Sequence, residues 1–174
     1  MTRYGTLRDP GAAEEFSTHG WVVLPLFGVS ERPALDHLAG LLRDHPSGGA
    51  PFFSGVHAHD LDFRARVDHE VRALAGPALD THLAGHRLIV GFGLIKEPHP
   101  GSALPPHQDW CVVDEDRTWS ANLWFPVAPI GPTDGRLTVL SGSHRLPRTY
   151  RGSPASPTWI DRLQRDDLMG LGTE

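Results

Sequence analysis

An imidazole and a carboxylate two positions apart, His107 and Asp109, stand just after Pro105-Pro106 and just before the apolar run at 110–113. On a β-strand alternate side chains share a face, so both groups would reach one point in space. One imidazole and one carboxylate, joined by a second imidazole from elsewhere, make the facial triad that suits non-heme Fe(II) and leaves positions open for reactants. The third donor then decides what such a site can do.

The elements that must carry this pair belong to a chain of 174 residues, a length for one domain rather than two. With 39% hydrophobic and 21% charged residues, it has the composition of a globular protein rather than a disordered one. A net charge of -5 offers no electrostatic case for binding nucleic acid or an anionic membrane. Lys96 is the sole lysine beside 15 arginines, which read as solvent-facing. The single Cys111 excludes an internal disulfide, and residues 1–10 hold no apolar leader, so the expected compartment is a reducing cytoplasm. No apolar run approaches the roughly 18 residues of a membrane span. Nineteen glycines and 16 prolines favour short strands and turns over a helical bundle.

Periodicity predicts a short helix over 12–18 stopped by Gly20, then a strand over 21–24 ending at Pro25. Ser30 is expected to cap a helix with Leu35, Leu38 and Leu42 on one stripe, ended by residues 45–49. A second amphipathic helix turns Phe63, Val67, Val71 and Leu74 inward and Arg64, Arg66, Asp68, Glu70 and Arg72 outward. Asp60 is its expected cap, and Gly76-Pro77 its expected end. From residue 87 the pattern becomes extended, with strands over 88–95, through the His107–Asp109 run, over 120–127 and over 136–140. Gly91 and Gly93 share one face of the first, where something is expected to approach the backbone closely. A proline-rich loop over 97–106 delivers the chain to His107. Turns follow at 114–116, 129–135 and 141–145, then a Pro/Ser/Arg-rich link and a helix over 158–168. The domain thus divides into a helical region 1–86, a strand region 87–145, and a linker with a helix over 146–174.

In this order the residues resemble the phytanoyl-CoA dioxygenase family of Fe(II)/2-oxoglutarate oxygenases. The matching pieces are Glu15-Phe16, the Gly20 to Pro25 run, the Leu94 to Pro98 run, Pro106-His107-Gln108-Asp109-Trp110, Asn122-Leu123-Trp124, and the Gly135 to Arg145 run ending in Gly-Ser-His-Arg. A lone His-x-Asp is weak, because chance supplies it often. Joined to the Gly-x-Leu-x-Val-Leu-x-Gly-Ser-His run, it is specific. The resemblance implies a mainly β fold with flanking helices, a double-stranded β-helix or jelly roll of the cupin kind. It implies His107 and Asp109 as Fe(II) ligands, Trp124 as a wall of the 2-oxoglutarate pocket and, more loosely, Asn122 and Phe92 beside it. Asn122 and Trp124 share a strand face. It also implies oxidation of a small organic metabolite by O2, coupled to decarboxylation of 2-oxoglutarate to succinate. Asp109 bears on the outcome, because related halogenases carry a small residue there to admit chloride. Hydroxylation is favoured, with desaturation and ring closure open to the same oxidant. Lys96 matches a frequent family lysine without an assigned role.

The chain departs from the family pattern at its end. The family places a distal histidine, then an arginine for the far carboxylate of 2-oxoglutarate, several strands after the Gly-Ser-His turn. Here His144 of that turn is the last histidine, and no arginine follows Arg165. The expectation is a chain lacking the C-terminal half of the barrel, inactive alone, with exposed strand edges. Three accounts stay open: an incomplete copy of a longer enzyme, one half of a barrel completed by a second copy or a second chain, and a degenerate relative that binds without catalysis, as a jelly-roll binding or partner subunit.

Plainer roles compete for the remaining motifs. With 11 histidines in the chain, a given one is ordinarily a surface or packing residue. His57-Ala58-His59-Asp60 reads as the entry to a helix rather than a second metal site. His99 reads as a loop residue near the mouth. His144 reads as a turn-capping hydrogen bond rather than a substitute ligand. Trp110 and Trp119 are sheet aromatics, Cys111 a small core residue, and the 114–116 run a solvated turn.

Overall fold

A computed structural model describes residues 7–45, 50–109, 111–114, 117–146 and 172–173. Among the described residues there are three α-helices: α1 (Pro10–His19), α2 (Arg32–Arg43) and α3 (Leu61–His82). Two antiparallel ribbons accompany them. In the first, β1 (Phe52–Ser54) pairs with β2 (Leu94–Lys96), with Phe52 opposite Lys96, Phe53 opposite Ile95 and Ser54 opposite Leu94. In the second, β3 (Leu140–Ser141) pairs with β4 (Gly172–Thr173). Among the described residues no helix is long and apolar enough to cross a membrane. The predicted helix over 158–168 and its linker lie outside the described residues, as does Trp110.

The core is where the helical periodicities meet. Leu38 and Leu42 of α2 pack with Phe63 and Val67 of α3 and with Ala58, and Phe53 and Ile95 of the first ribbon close the cluster. Phe63 and Val67 are each 1% exposed, and burying a side chain of that size stabilises by roughly 1.5–3 kcal/mol. Val71 and Leu74 sit at the margin of this cluster. Asp60 caps α3 as expected, accepting from the Phe63 N–H at 2.9 Å. Ser30 does not cap α2. It lies in a 3₁₀ turn (Val29–Glu31), where Glu31 instead accepts from the Gly28 N–H at 2.6 Å, because a longer side chain reaches back over the turn. Gly76-Pro77 does not end α3, which runs on to His82. A proline removes one helical hydrogen bond, but Ala75 and Leu79 on either side are buried, 0% and 4% exposed. The far end is capped by Arg8, whose N–H donates to His82 at 2.8 Å and whose guanidinium reaches the carbonyls of Asp80 and Leu83.

Among the described residues strand is scarcer than periodicity implied. The expected strands at 21–24 and 120–127 form no ladder among the described residues, and the one at 136–140 pairs only at Leu140. Of the strand expected at 88–95 only the end pairs, as β2. Its first half is held by side chains in place of a neighbouring strand. Arg72 donates to the carbonyls of Leu88 at 2.8 Å and Ile89 at 2.6 Å, and Asp68 accepts from the Gly91 N–H at 2.6 Å. Asp68 and Arg72, expected to face solvent, are therefore the clamp on this segment, joined to each other at 2.7 Å. The close approach expected at Gly91 and Gly93 comes from the helices. A Cβ on Gly91 would stand 2.6 Å from Val71, and one on Gly93 2.2 Å from Leu42.

Candidate metal centre and its supports

His107 and Asp109 emerge from a stretch with little regular structure, so their placement depends on individual hydrogen bonds. After β2 a 3₁₀ turn (Pro100–Ser102) is capped by His99, whose Nδ1 accepts from the Gly101 N–H at 2.9 Å. His99 is thus a turn residue. Next, His107 Nδ1 donates to the Pro105 carbonyl at 2.8 Å, which sets the ring's orientation. Gln108, between the two, donates from Nε2 to the Ser143 carbonyl at 2.5 Å. That bond anchors the whole segment to the Gly-Ser-His turn.

The turn is itself anchored. An α-helix leaves its last four carbonyls without helical partners, and the turn supplies three of the four donors for α1. Gly20 N–H donates to Phe16, His144 Nε2 to Ser17 at 3.2 Å, Arg145 to Thr18 at 2.8 Å, and the Gly142 N–H to His19 at 2.7 Å. Gly20 adopts φ +84°, and a Cβ there would lie 2.2 Å from His144 Nδ1. A side chain at that position therefore collides with the turn. His144 has a capping role, but the carbonyl it caps belongs to a helix 127 residues earlier rather than to its own turn. Burial pushes its imidazole below the usual range.

At the centre, His107 Nε2 and Asp109 Oδ1 stand 3.2 Å apart. Asn122 Nδ2 donates to the other carboxylate oxygen, Oδ2. His107 is the more sheltered of the pair, with 21% of its side chain exposed against 57% for Asp109. The hydrogen bond that His107 donates to Asp109 raises the His107 pKa, opposed by burial and by the Lys96 cation. His107, followed by Asn122, holds the Asp109 carboxyl below its ordinary value, opposed by burial. Nδ1 faces the Pro105 carbonyl and Nε2 faces the Asp109 carboxylate.

The donor set fits two positions of a facial triad. Two donors at about 2.1 Å from one divalent ion and at right angles to each other stand about 3 Å apart, close to the observed separation. The tautomer also fits, because Nδ1 is tied to a backbone carbonyl and Nε2 is the nitrogen turned toward the carboxylate. Among the described residues, no group of three His, Cys, Asp or Glu side chains comes together as a metal cluster.

The other sequence-predicted residues lie at varying remove. Asn122 joins the pair directly. Trp124, two residues on, is 42% exposed. Phe92, 43% exposed, lines a cavity of about 340 Å³ between α3 and the 89–92 segment, along with Arg64, Asp68 and Arg72. Cys111 is half-buried, with Sγ 3.1 Å from Ser120 Oγ, a contact within a loop rather than in the core. The supports that sequence reasoning missed are Gln108, Asp68 and Arg72. For the last two, the i, i+4 acid–base spacing on α3 was the available signal.

The profile of the phytanoyl-CoA dioxygenase (PhyH) family matches residues 40–167, which include the His107–Asp109 pair, Asn122, Trp124 and the Gly-Ser-His turn. The chain belongs to this family. The family has the jelly-roll fold of the cupins, and its activity is that of Fe(II)/2-oxoglutarate oxygenases. No curated protein and no solved structure matches the chain.

Proposed function

We propose that this chain is an Fe(II)/2-oxoglutarate-dependent dioxygenase of the phytanoyl-CoA dioxygenase family that hydroxylates a small organic metabolite. The observation that carries the reading is the convergence of His107 Nε2 and Asp109 Oδ1 to 3.2 Å within the family match. His107 and Asp109 would hold Fe(II), with Trp124, Asn122 and Phe92 shaping the 2-oxoglutarate pocket. Residues 1–174 would act as one domain. A donor outside the described residues would complete the iron site.

When bound, iron with 2-oxoglutarate and O2 supplies the oxidising power, releasing succinate and CO2. The chain's own part is positional. Pro105 fixes the His107 tautomer, so Nε2 is the nitrogen presented. Asp109 contributes the negative charge that balances a divalent cation. Gln108 ties the backbone between them to the Gly-Ser-His turn. Hydroxylation is the favoured outcome because Asp109 fills the position that a halide would need.

Anaerobic addition of Fe(II) and 2-oxoglutarate should give the weak visible charge-transfer band of a chelated cosubstrate. His107→Ala and Asp109→Ala should each abolish it. Succinate should form in air with wild type alone. Neither band nor succinate from wild type, with or without a partner chain, would move the protein to the other reading, a jelly-roll binding or partner subunit.

A further inference from the structure

We infer that Asn122 is a positioning residue that makes Asp109 a one-oxygen metal donor. The inference rests on the proposed iron site and assigns this amide a task within it. A carboxylate has two oxygens that a cation can take together or singly. Here the two are already divided: Oδ1 faces His107 Nε2 at 3.2 Å, and Oδ2 accepts from Asn122 Nδ2. An ion held at His107 Nε2 meets Oδ1 first. Seizing Oδ2 as well would break the hydrogen bond from Asn122. One coordination position that a two-oxygen carboxylate would occupy is thereby kept for a reactant.

Local supports bear this out. Asp109 is more than half exposed, with side chain 57% accessible, so packing alone does not fix its torsion. Gln108 and Pro105 hold the backbone and the ring beside it, and neither touches the carboxylate. Asn122 arrives from 13 residues away on a segment tied to the core by its neighbours Phe125 and Val127. It thus has a fixed base from which to orient a mobile group.

The test uses the 174-residue chain and Mn(II) as the probe. Asn122→Leu keeps the approximate size and removes the donor at an exposed position, so the fold should survive. Its Mn(II) affinity, read by electron paramagnetic resonance of the free ion, should fall about tenfold, within the range for loss of a hydrogen bond to a metal ligand. Asn122→Gln, which keeps the amide, should recover part of that loss. In the metal-free protein the Asn122 side-chain amide resonances should move in Asp109→Ala. Equal Mn(II) affinity in wild type and Asn122→Leu, with binding lost in His107→Ala, would overturn the role of Asn122 and leave the iron site standing. Wild-type binding indifferent to His107→Ala would overturn both.

Discussion

The helical half and the half that carries His107 and Asp109 are held by different forces. Among the described residues every buried hydrophobic side chain lies between Leu7 and Leu79, where α2, α3 and the β1–β2 ribbon interlock. Exposed apolar side chains occur in both halves, Val29 at 92% and Val112 at 71%, but beyond residue 100 no hydrophobic side chain among the described residues is fully buried. Phe125 and Val127 pack on the core from this half, but the residues at the site are tied by single hydrogen bonds: Gln108 to Ser143, Asn122 to Asp109, and the 142–145 turn to the end of α1. Packing is spread over many contacts and tolerates small losses, whereas a point attachment fails at one atom. The metal pair rests on the second kind of support.

Mutations should separate the two halves. Phe63→Ala removes the most buried large side chain and should cost about 3–5 kcal/mol, measured by denaturant unfolding. Its effect on stability should exceed any in the other half. Gly20→Ala should cost about 1–2 kcal/mol from its left-handed backbone alone, and displacement of His144 should add to that. Because the turn also holds Gln108, Mn(II) affinity should fall with it. A melt shift with unchanged affinity would show that the two attachments are independent. Gln108→Glu keeps shape but sets an acceptor against the Ser143 carbonyl. About 1–3 kcal/mol should be lost, and metal affinity should drop more than in Phe63→Ala assayed under folding conditions.

The smallest effect concerns pH. Arg72, and then the Gly91 N–H, hold the Asp68 carboxyl below its ordinary value. A depressed folded-state pKa gives stability that is fully present above the ordinary carboxylate range and is lost as pH falls through the folded value. Asp68→Asn should therefore lower stability at neutral pH, modestly because the pair is partly solvent-exposed, and change it least in strong acid, so that the acid limb of the stability curve flattens. Hydrogen exchange of residues 88–91 should report the same clamp: faster exchange confined to this segment is the expected outcome.

Legibility in the sequence followed the same division. Helices α1 to α3 and their inward residues were readable because a 3.6-residue period and an Asp60 cap are local signals. Pro77 misled because the burial of Ala75 and Leu79, which carries the helix past it, is a tertiary fact. The strands were overcounted because alternation records a preference, while a ladder needs a partner, and Arg72 and Asp68 took that place for 88–91. His107 and Asp109 were legible as a pair through spacing. Their supports were not, because Gln108 meets Ser143 and His144 meets Ser17 across separations that no local pattern encodes.

The seal on α1 joins residues 17 and 18 to residues 144 and 145, a loop of 127 positions. Closing so long a loop carries an entropic cost that short-range contacts avoid, and such closures come late in folding. During synthesis His107 and Asp109 leave the ribosome well before the arginine and histidine that steady them. The nascent chain therefore displays both groups without fixed geometry, and their 3.2 Å approach arises only after the earliest helix has been clasped by the late turn.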